Sequence, residues 1–132
     1  MAQNNTIIDV PLLNEAPYVG MTLWWLNELG IEYHANGYEQ FIIPGGQTYK
    51  PFSKYIPADF SSATFFMVAA AITGSTVKLK GLDINDTQGD KEVVAILKQM
   101  GADIAILPDA IIITGKPLKG GVFDLNAIPD AL

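Results

Sequence analysis

Apolar residues along this chain recur with two different periods, and the switches between them mark out the elements. Thr6–Leu12 reads as a strand. Between Pro17 and Leu29, the residues Met21, Trp25 and Leu29 fall at i, i+4 and i+8, the stripe of an amphipathic helix. Pro17 suits its first turn, where a missing N–H would be unpaired anyway. Asn36–Gly37 predicts a two-residue hairpin turn, with Tyr38–Ile43 as the return strand. A connection rich in Gly, Pro and Lys, residues 44–54, leads to the start of a short strand at Tyr55–Pro57. Ser61–Ile72 is apolar on nearly every side, which predicts a helix covered all round. Thr76–Lys80 alternates Val77 and Leu79 with Lys78 and Lys80, the pattern of a half-buried strand. Asp90–Met100 follows as a helix with Val93, Leu97 and Met100 inward, and Pro108–Asp109 turns the chain into a strand at Ala110–Thr114.

Within that order a segment repeats. Leu26-Asn27-Glu28-Leu29-Gly30-Ile31-Glu32 recurs as Leu97-Lys98-Gln99-Met100-Gly101-Ala102-Asp103, an offset of 71. Each copy ends a helix on Gly, where a left-handed cap is favoured, and each is followed by a hairpin. The first copy then runs into a strand and Ser61-Ser62-Ala63, the second into a strand at Val122–Asn126 and Pro129-Asp130-Ala131. We read this as a duplication of about 70 residues. The fold class is α/β (α+β), built of βαβαββ units. Residues 1–54 form a half unit, 55–115 a complete unit, and 116–132 the opening of a third.

Composition narrows the chemistry. The 132 residues are 49% apolar and 17% charged, enough to bury a core. Eight Lys and no Arg stand against fourteen carboxylates, a net charge of −6, and an acidic chain is a poor match for nucleic acid. With no Cys there is no disulfide, thiolate nucleophile or Cys-held zinc. The longest apolar run, Phe65–Ile72, is too short to span a bilayer, and Ala2-Gln3-Asn4-Asn5 has neither the basic start nor the apolar core of a leader. We therefore expect a cytoplasmic protein with no membrane partner and no cofactor or metal. His34 beside a hairpin turn reads as a surface residue. Gly45–Gly46 lacks the following Lys-Ser/Thr of a phosphate loop, and the Asp83, Asp86, Asp90 group reads as a solvated loop with a helix cap.

Six short segments, taken in order, resemble the enolpyruvyl transferases, and within them most closely the EPSP synthase family. They are Ala16-Pro17-Tyr18-Val19-Gly20-Met21-Thr22-Leu23, Gly45-Gly46-Gln47, Asp59-Phe60-Ser61-Ser62-Ala63, Thr87-Gln88-Gly89-Asp90, Leu97-Lys98-Gln99-Met100-Gly101-Ala102 and Ile128-Pro129-Asp130-Ala131. That family is built from six such units, three in each of two inside-out α/β barrel lobes. The resemblance thus implies about a third of an enzyme, with the crossing between lobes near Ala58–Asp59. It implies a transferase that moves the enolpyruvyl group of phosphoenolpyruvate onto the 5-hydroxyl of shikimate 3-phosphate, in aromatic amino acid biosynthesis.

The resemblance also assigns roles. Asp130 matches the family carboxylate that contacts the 5-hydroxyl and transfers its proton, a task suited to a carboxylate whose pKa burial has raised. Tyr18 matches the position lining the shikimate phosphate. Glu15 stands where the family has a phosphate-binding Ser, and a carboxylate repels a phosphate dianion. Gly20 replaces the usual Asp. The Lys and Arg residues that grip both phosphates belong to other units, so the isolated chain is expected to be inactive. Each residue has a plainer reading beside this one: Asp130 as a helix-start carboxylate, Tyr18 as core, Ser61 and Ser62 as part of an N-cap. The alternatives are a sister enzyme (UDP-N-acetylglucosamine enolpyruvyl transferase or RNA 3′-phosphate cyclase) and a non-catalytic or engineered module keeping only the fold. Bare apolar faces and a free strand edge at Val122–Asn126 further predict self-association.

Overall fold

A computed structural model describes residues 2–126 and 128–131. The chain divides into two compact units, residues 1–55 and 56–132.

The first unit runs β1 (Thr6–Asp9), α1 (Ala16–Glu28), β2 (His34–Asn36) and β3 (Gln40–Ile43). Its three-stranded sheet has the order β1-β3-β2 and is antiparallel throughout, with Ile8 opposite Phe41 and Ala35 opposite Phe41 on the other side. Phe41 and Ile31 are its buried apolar anchors. The hairpin differs from the two-residue turn expected at Asn36–Gly37. Asn36 pairs with Gln40, so three residues form the loop, closed by Glu39 N–H donating to the Asn36 carbonyl at 3.1 Å. Gly37 takes φ +55°, whereas Asn36 stays extended in the strand. A type I′ turn would need positive φ at both.

Helix α1 also departs from its expected stripe. Val19, Thr22, Leu23 and Leu26 line a cavity of about 240 Å³ together with Ile8, Val10, Phe41 and Ile43. The face toward the sheet is therefore Val19–Leu23–Leu26, and Met21, Trp25 and Leu29 lie on another side. Because α1 is apolar nearly all round, sequence spacing alone did not choose between the two. None of its residues is fully buried.

The second unit runs α2 (Phe60–Thr73), β4 (Thr76–Lys80), a 3-10 turn at Gly89–Lys91 continuing into α3 (Glu92–Met100), β5 (Asp103–Leu107), β6 (Ala110–Thr114) and a 3-10 turn at Pro129–Ala131. The sheet order is β4-β6-β5, again antiparallel with the last strand central. Leu107 pairs with Ala110, so Pro108–Asp109 is the two-residue turn that was expected. The core joins Phe60, Met67, Ala70 and Ala71 of α2 to Val93, Val94 and Leu97 of α3 and to Ile111 and Ile113 of β6.

Gly30 and Gly101, the paired glycines of the repeat, both adopt positive φ, at +66° and +109°. The residue after each closes the cap alike: Ile31 N–H donates to Leu26 O at 2.8 Å and Ala102 N–H to Leu97 O at 2.9 Å. This is the six-to-one bond of a glycine-terminated helix. The duplication therefore extends from words to geometry, including the shared strand order.

Three other expectations are corrected. Residues 55–57 form no strand; the nearby backbone link is Ala58 N–H to Gly81 O at 2.8 Å. Residues 122–126 form no strand either, and Val122 is fully exposed, so the expected free edge is absent there. Helix α2 is not covered on all sides. Phe60, Ala63, Met67, Ala70 and Ala71 are buried, but Phe65, Phe66 and Ile72 are 71%, 60% and 70% exposed. One face packs on the sheet and the opposite face is equally apolar, which periodicity cannot separate.

Candidate functional site

The candidate residues fall in three places: the start of α1, the start of α2, and the turn at Pro129–Ala131.

At the start of α1, Pro17 occupies the first turn and Glu15 is the N-cap residue. Its side chain makes no capping bond, unlike the short Ser, Thr, Asp or Asn side chains that reach the second or third helical amide. The Tyr18 N–H donates to the Glu15 carbonyl at 3.2 Å, and Thr22 Oγ1 donates to the Tyr18 carbonyl at 3.3 Å. Tyr18 is half-buried and Glu15 exposed. The two expected substrate-facing residues therefore share one helical turn, with the carboxylate outward.

Gly45–Gly46–Gln47 turns out to be structural. A Cβ on Gly45 would lie 2.4 Å from the Asn4 carbonyl carbon and the Gln3 oxygen, so only Gly lets the two backbones meet. Gln47 ties both backbone groups of Glu32, accepting from its N–H at 2.7 Å and donating to its carbonyl at 2.9 Å.

Helix α2 begins on a dense polar arrangement. Asp59 is the N-cap: Oδ2 accepts from Ser62 N–H at 2.9 Å and from Ser62 Oγ at 2.5 Å, and Oδ1 from Ser61 N–H at 3.3 Å. The Ser62 hydroxyl is the largest influence holding the Asp59 carboxyl below its ordinary value, with the Ser62 and Ser61 amides adding to it and partial burial opposing. Gln88 satisfies the Phe60 N–H through Oε1 at 2.8 Å and donates through Nε2 to Ala58 O at 3.0 Å and Asp86 Oδ2 at 2.7 Å. Ala63 N–H donates to Asp59 O at 3.1 Å. Each of the four leading amides thus has a partner, and the hydroxyls of Ser61 and Ser62 both donate to carboxylates, Asp90 and Asp59. An amino end closed in this way offers nothing to a phosphate.

Asp90, expected with Asp83 and Asp86 in a solvated loop and helix cap, is only 4% exposed. Its Oδ2 accepts from Ser61 Oγ. Gln88 is 9% exposed. Sequence reasoning missed the burial of both residues. The signal was the spacing of two polar side chains around Gly89, just ahead of an apolar helix.

Asp130 sits in the turn Pro129–Ala131 and is exposed. The turn is anchored by Ile128, 3% exposed, and by Ala131, which packs on the core; Ala131 N–H donates to Ile128 O at 3.1 Å. An exposed carboxylate on a fixed turn can accept a hydrogen bond from a substrate hydroxyl.

Three of the lysines have partners of their own. Lys54 pairs with Glu28 and lies 4.2 Å over the Trp24 ring; Lys116 pairs with Asp103 at 2.9 Å; Lys91 donates to the Asp86 carbonyl at 2.6 Å.

The order β-α-β-β occurs in both units, each time with an antiparallel sheet whose last strand is central, which defines a repeat-built α/β protein. The chain belongs to the EPSP synthase (3-phosphoshikimate 1-carboxyvinyltransferase) family, whose model matches residues 1–132. It is 53% identical over its whole length to the 3-phosphoshikimate 1-carboxyvinyltransferase of Ruminiclostridium cellulolyticum, covering 31% of that protein. It is 52% identical over 128 residues to that of Acetivibrio thermocellus, covering 30% of it. Among solved structures it is similar to EPSP synthase from Acinetobacter baumannii, with TM-score 0.66 and 30% identity over 98% of this chain and 31% of that one. The chain thus spans about a third of the length of these relatives. No helix among the described residues is long and apolar enough to cross a membrane.

Proposed function

We propose that this chain supplies part of the framework of an enolpyruvyl transfer enzyme, acting on phosphoenolpyruvate and the 5-hydroxyl of shikimate 3-phosphate in the cytoplasm. The observation that carries the reading is Asp130, held on an anchored and exposed turn within Ile128-Pro129-Asp130-Ala131. There its carboxylate accepts the hydroxyl proton as the hydroxyl oxygen bonds the enolpyruvyl carbon, and phosphate leaves. Tyr18 lines the shikimate side, and Glu15 replaces a neutral phosphate ligand with a like charge. Residues 1–54 close one lobe, 55–115 open the other, and 116–132 start the next unit.

The isolated chain turns over no substrate on this reading, because a single carboxylate cannot stabilise the charge that develops in phosphate release. The test is a chimera in which residues 1–132 replace the matching third of the Ruminiclostridium cellulolyticum enzyme. Phosphate release is expected in the chimera, with a loss on the order of 10²–10⁴-fold on Asp130→Asn, the usual contribution of general acid–base catalysis. An inactive but folded chimera would favour the module that keeps only the fold.

A further inference from the structure

Beneath the Asp130 turn lies a buried polar group to which that function gives no role. Asp90 is 4% exposed and Gln88 9%, in a unit whose core is otherwise nearly all apolar. Burying a carboxylate is expensive unless hydrogen bonds compensate it, so such a group marks a place where geometry is tightly specified. Three facts locate what it specifies. Ser61 Oγ donates to Asp90 Oδ2, tying the Gly89–Lys91 turn to the first turn of α2. Gln88 repeats the tie through Phe60 N–H and Ala58 O. The Gly89–Lys91 turn and α2 both pack against Pro129–Ala131, the turn that carries Asp130.

We infer that Asp90 is a positioning residue for the transfer reaction: with Ser61 and Gln88 it fixes the seat on which the Asp130 turn rests. It touches no substrate and acts through Asp130. The inference rests on Asp130 having the role proposed above. An apolar seat would bury the same surface but would leave the turn free to slide. A displacement of about 1 Å in a catalytic group can cost on the order of 100-fold in rate.

The test uses the same chimera and a double-mutant cycle. Asp90→Ala is expected to lower kcat by about tenfold or more, with KM for both substrates within about twofold, and Asp90→Asn to recover most of the loss because its oxygen still accepts from Ser61. In an Asp130→Asn background, Asp90→Ala should produce no further fall in kcat, since the residue it positions is already disabled. Equal falls in both backgrounds would overturn the inference, leaving Asp90 a stability residue. Should Asp90→Ala fail to fold, Ser61→Ala decides: a smaller fall in kcat that vanishes in the Asp130→Asn background supports positioning, and an unchanged kcat overturns it. An active parent chimera with uncoupled variants refutes only the positioning, whereas an inactive parent refutes the functional reading itself.

Discussion

Met67 and Phe66 are neighbours on α2, and replacing each by Ala should separate the helix's two apolar faces. Met67 is wholly buried and sits in the core with Phe60, Val93 and Ile111. Its truncation loses transfer energy and leaves a cavity, together about 2–5 kcal/mol. Phe66 is the larger side chain, but it is 60% exposed. Full burial of such a ring is worth about 1.5–3 kcal/mol, so the part that is covered contributes about 1 kcal/mol. For a urea slope of about 1–3 kcal/mol per molar, the two midpoints should differ by roughly 1 M. Trp24 and Trp25 both lie in the first unit, so their fluorescence does not follow α2. Amide exchange at Ile111 and Ile113 does. Equal midpoints, or a lower one for Phe66→Ala, would show that the sheet holds the opposite face of α2.

The remaining expectations are briefer. The folded Asp59 carboxyl lies below its ordinary value of 3.8, so its contribution to stability is present above that value and is lost as pH falls through the lowered one. Urea midpoints of Asp59→Ala and the parent should therefore differ at pH 7 and converge in strong acid; a constant gap would contradict the assignment. Gly115→Ala would place a Cβ 2.3 Å from the Ala70 carbonyl oxygen and 2.6 Å from that of Ala71, and should cost about 1–3 kcal/mol or more, whereas Gly120, with nothing within 4 Å, should accept Ala freely. Thermal melts of the two variants check this. The exposed Phe65, Phe66 and Ile72 should drive the isolated chain to associate at high micromolar concentration despite its charge of −6. Sedimentation equilibrium should then show Phe65→Ser with Phe66→Ser shifting the chain toward monomer; a strict monomer in the parent would refute it.

How much of this was legible depended on what each residue's position required. Gly30 and Gly101 announced two helix ends because a left-handed cap needs Gly, and the structure places both at positive φ. Val77 and Leu79 announced β4 because a strand with one wet face must alternate. Helices α1 and α2 defeated the same reasoning. Where apolar residues fill every side, periodicity no longer says which stripe meets the sheet, so the Met21 stripe and the all-round cover of α2 were both misjudged. The Asn36–Gly37 turn was misjudged for a smaller reason: Gly37 alone supplies the positive φ, and a third residue closes the loop. The burial of Asp90 escaped notice because its hydrogen-bond partner, Ser61, is twenty-nine positions away. No local pattern encodes that pairing.

The offset of 71 has one further consequence for the site. It carries Asp59, the N-cap of α2, onto Asp130. In the first copy every oxygen of that Asp is engaged: Ser61 and Ser62 hold it by their amides and Ser62 by its hydroxyl, so the carboxylate is committed to the helix. In the second copy Ala131 follows directly, where the first has Phe60, and the Asp stands exposed on a turn whose hold on the core comes from Ile128 and Ala131 instead. The same residue type, at the same point of the repeat, caps a helix in one copy and stands exposed on a short turn in the other. Ser61 and Asp90 tie the first turn of α2 to the Gly89–Lys91 turn, and both of these elements pack against the turn that carries Asp130.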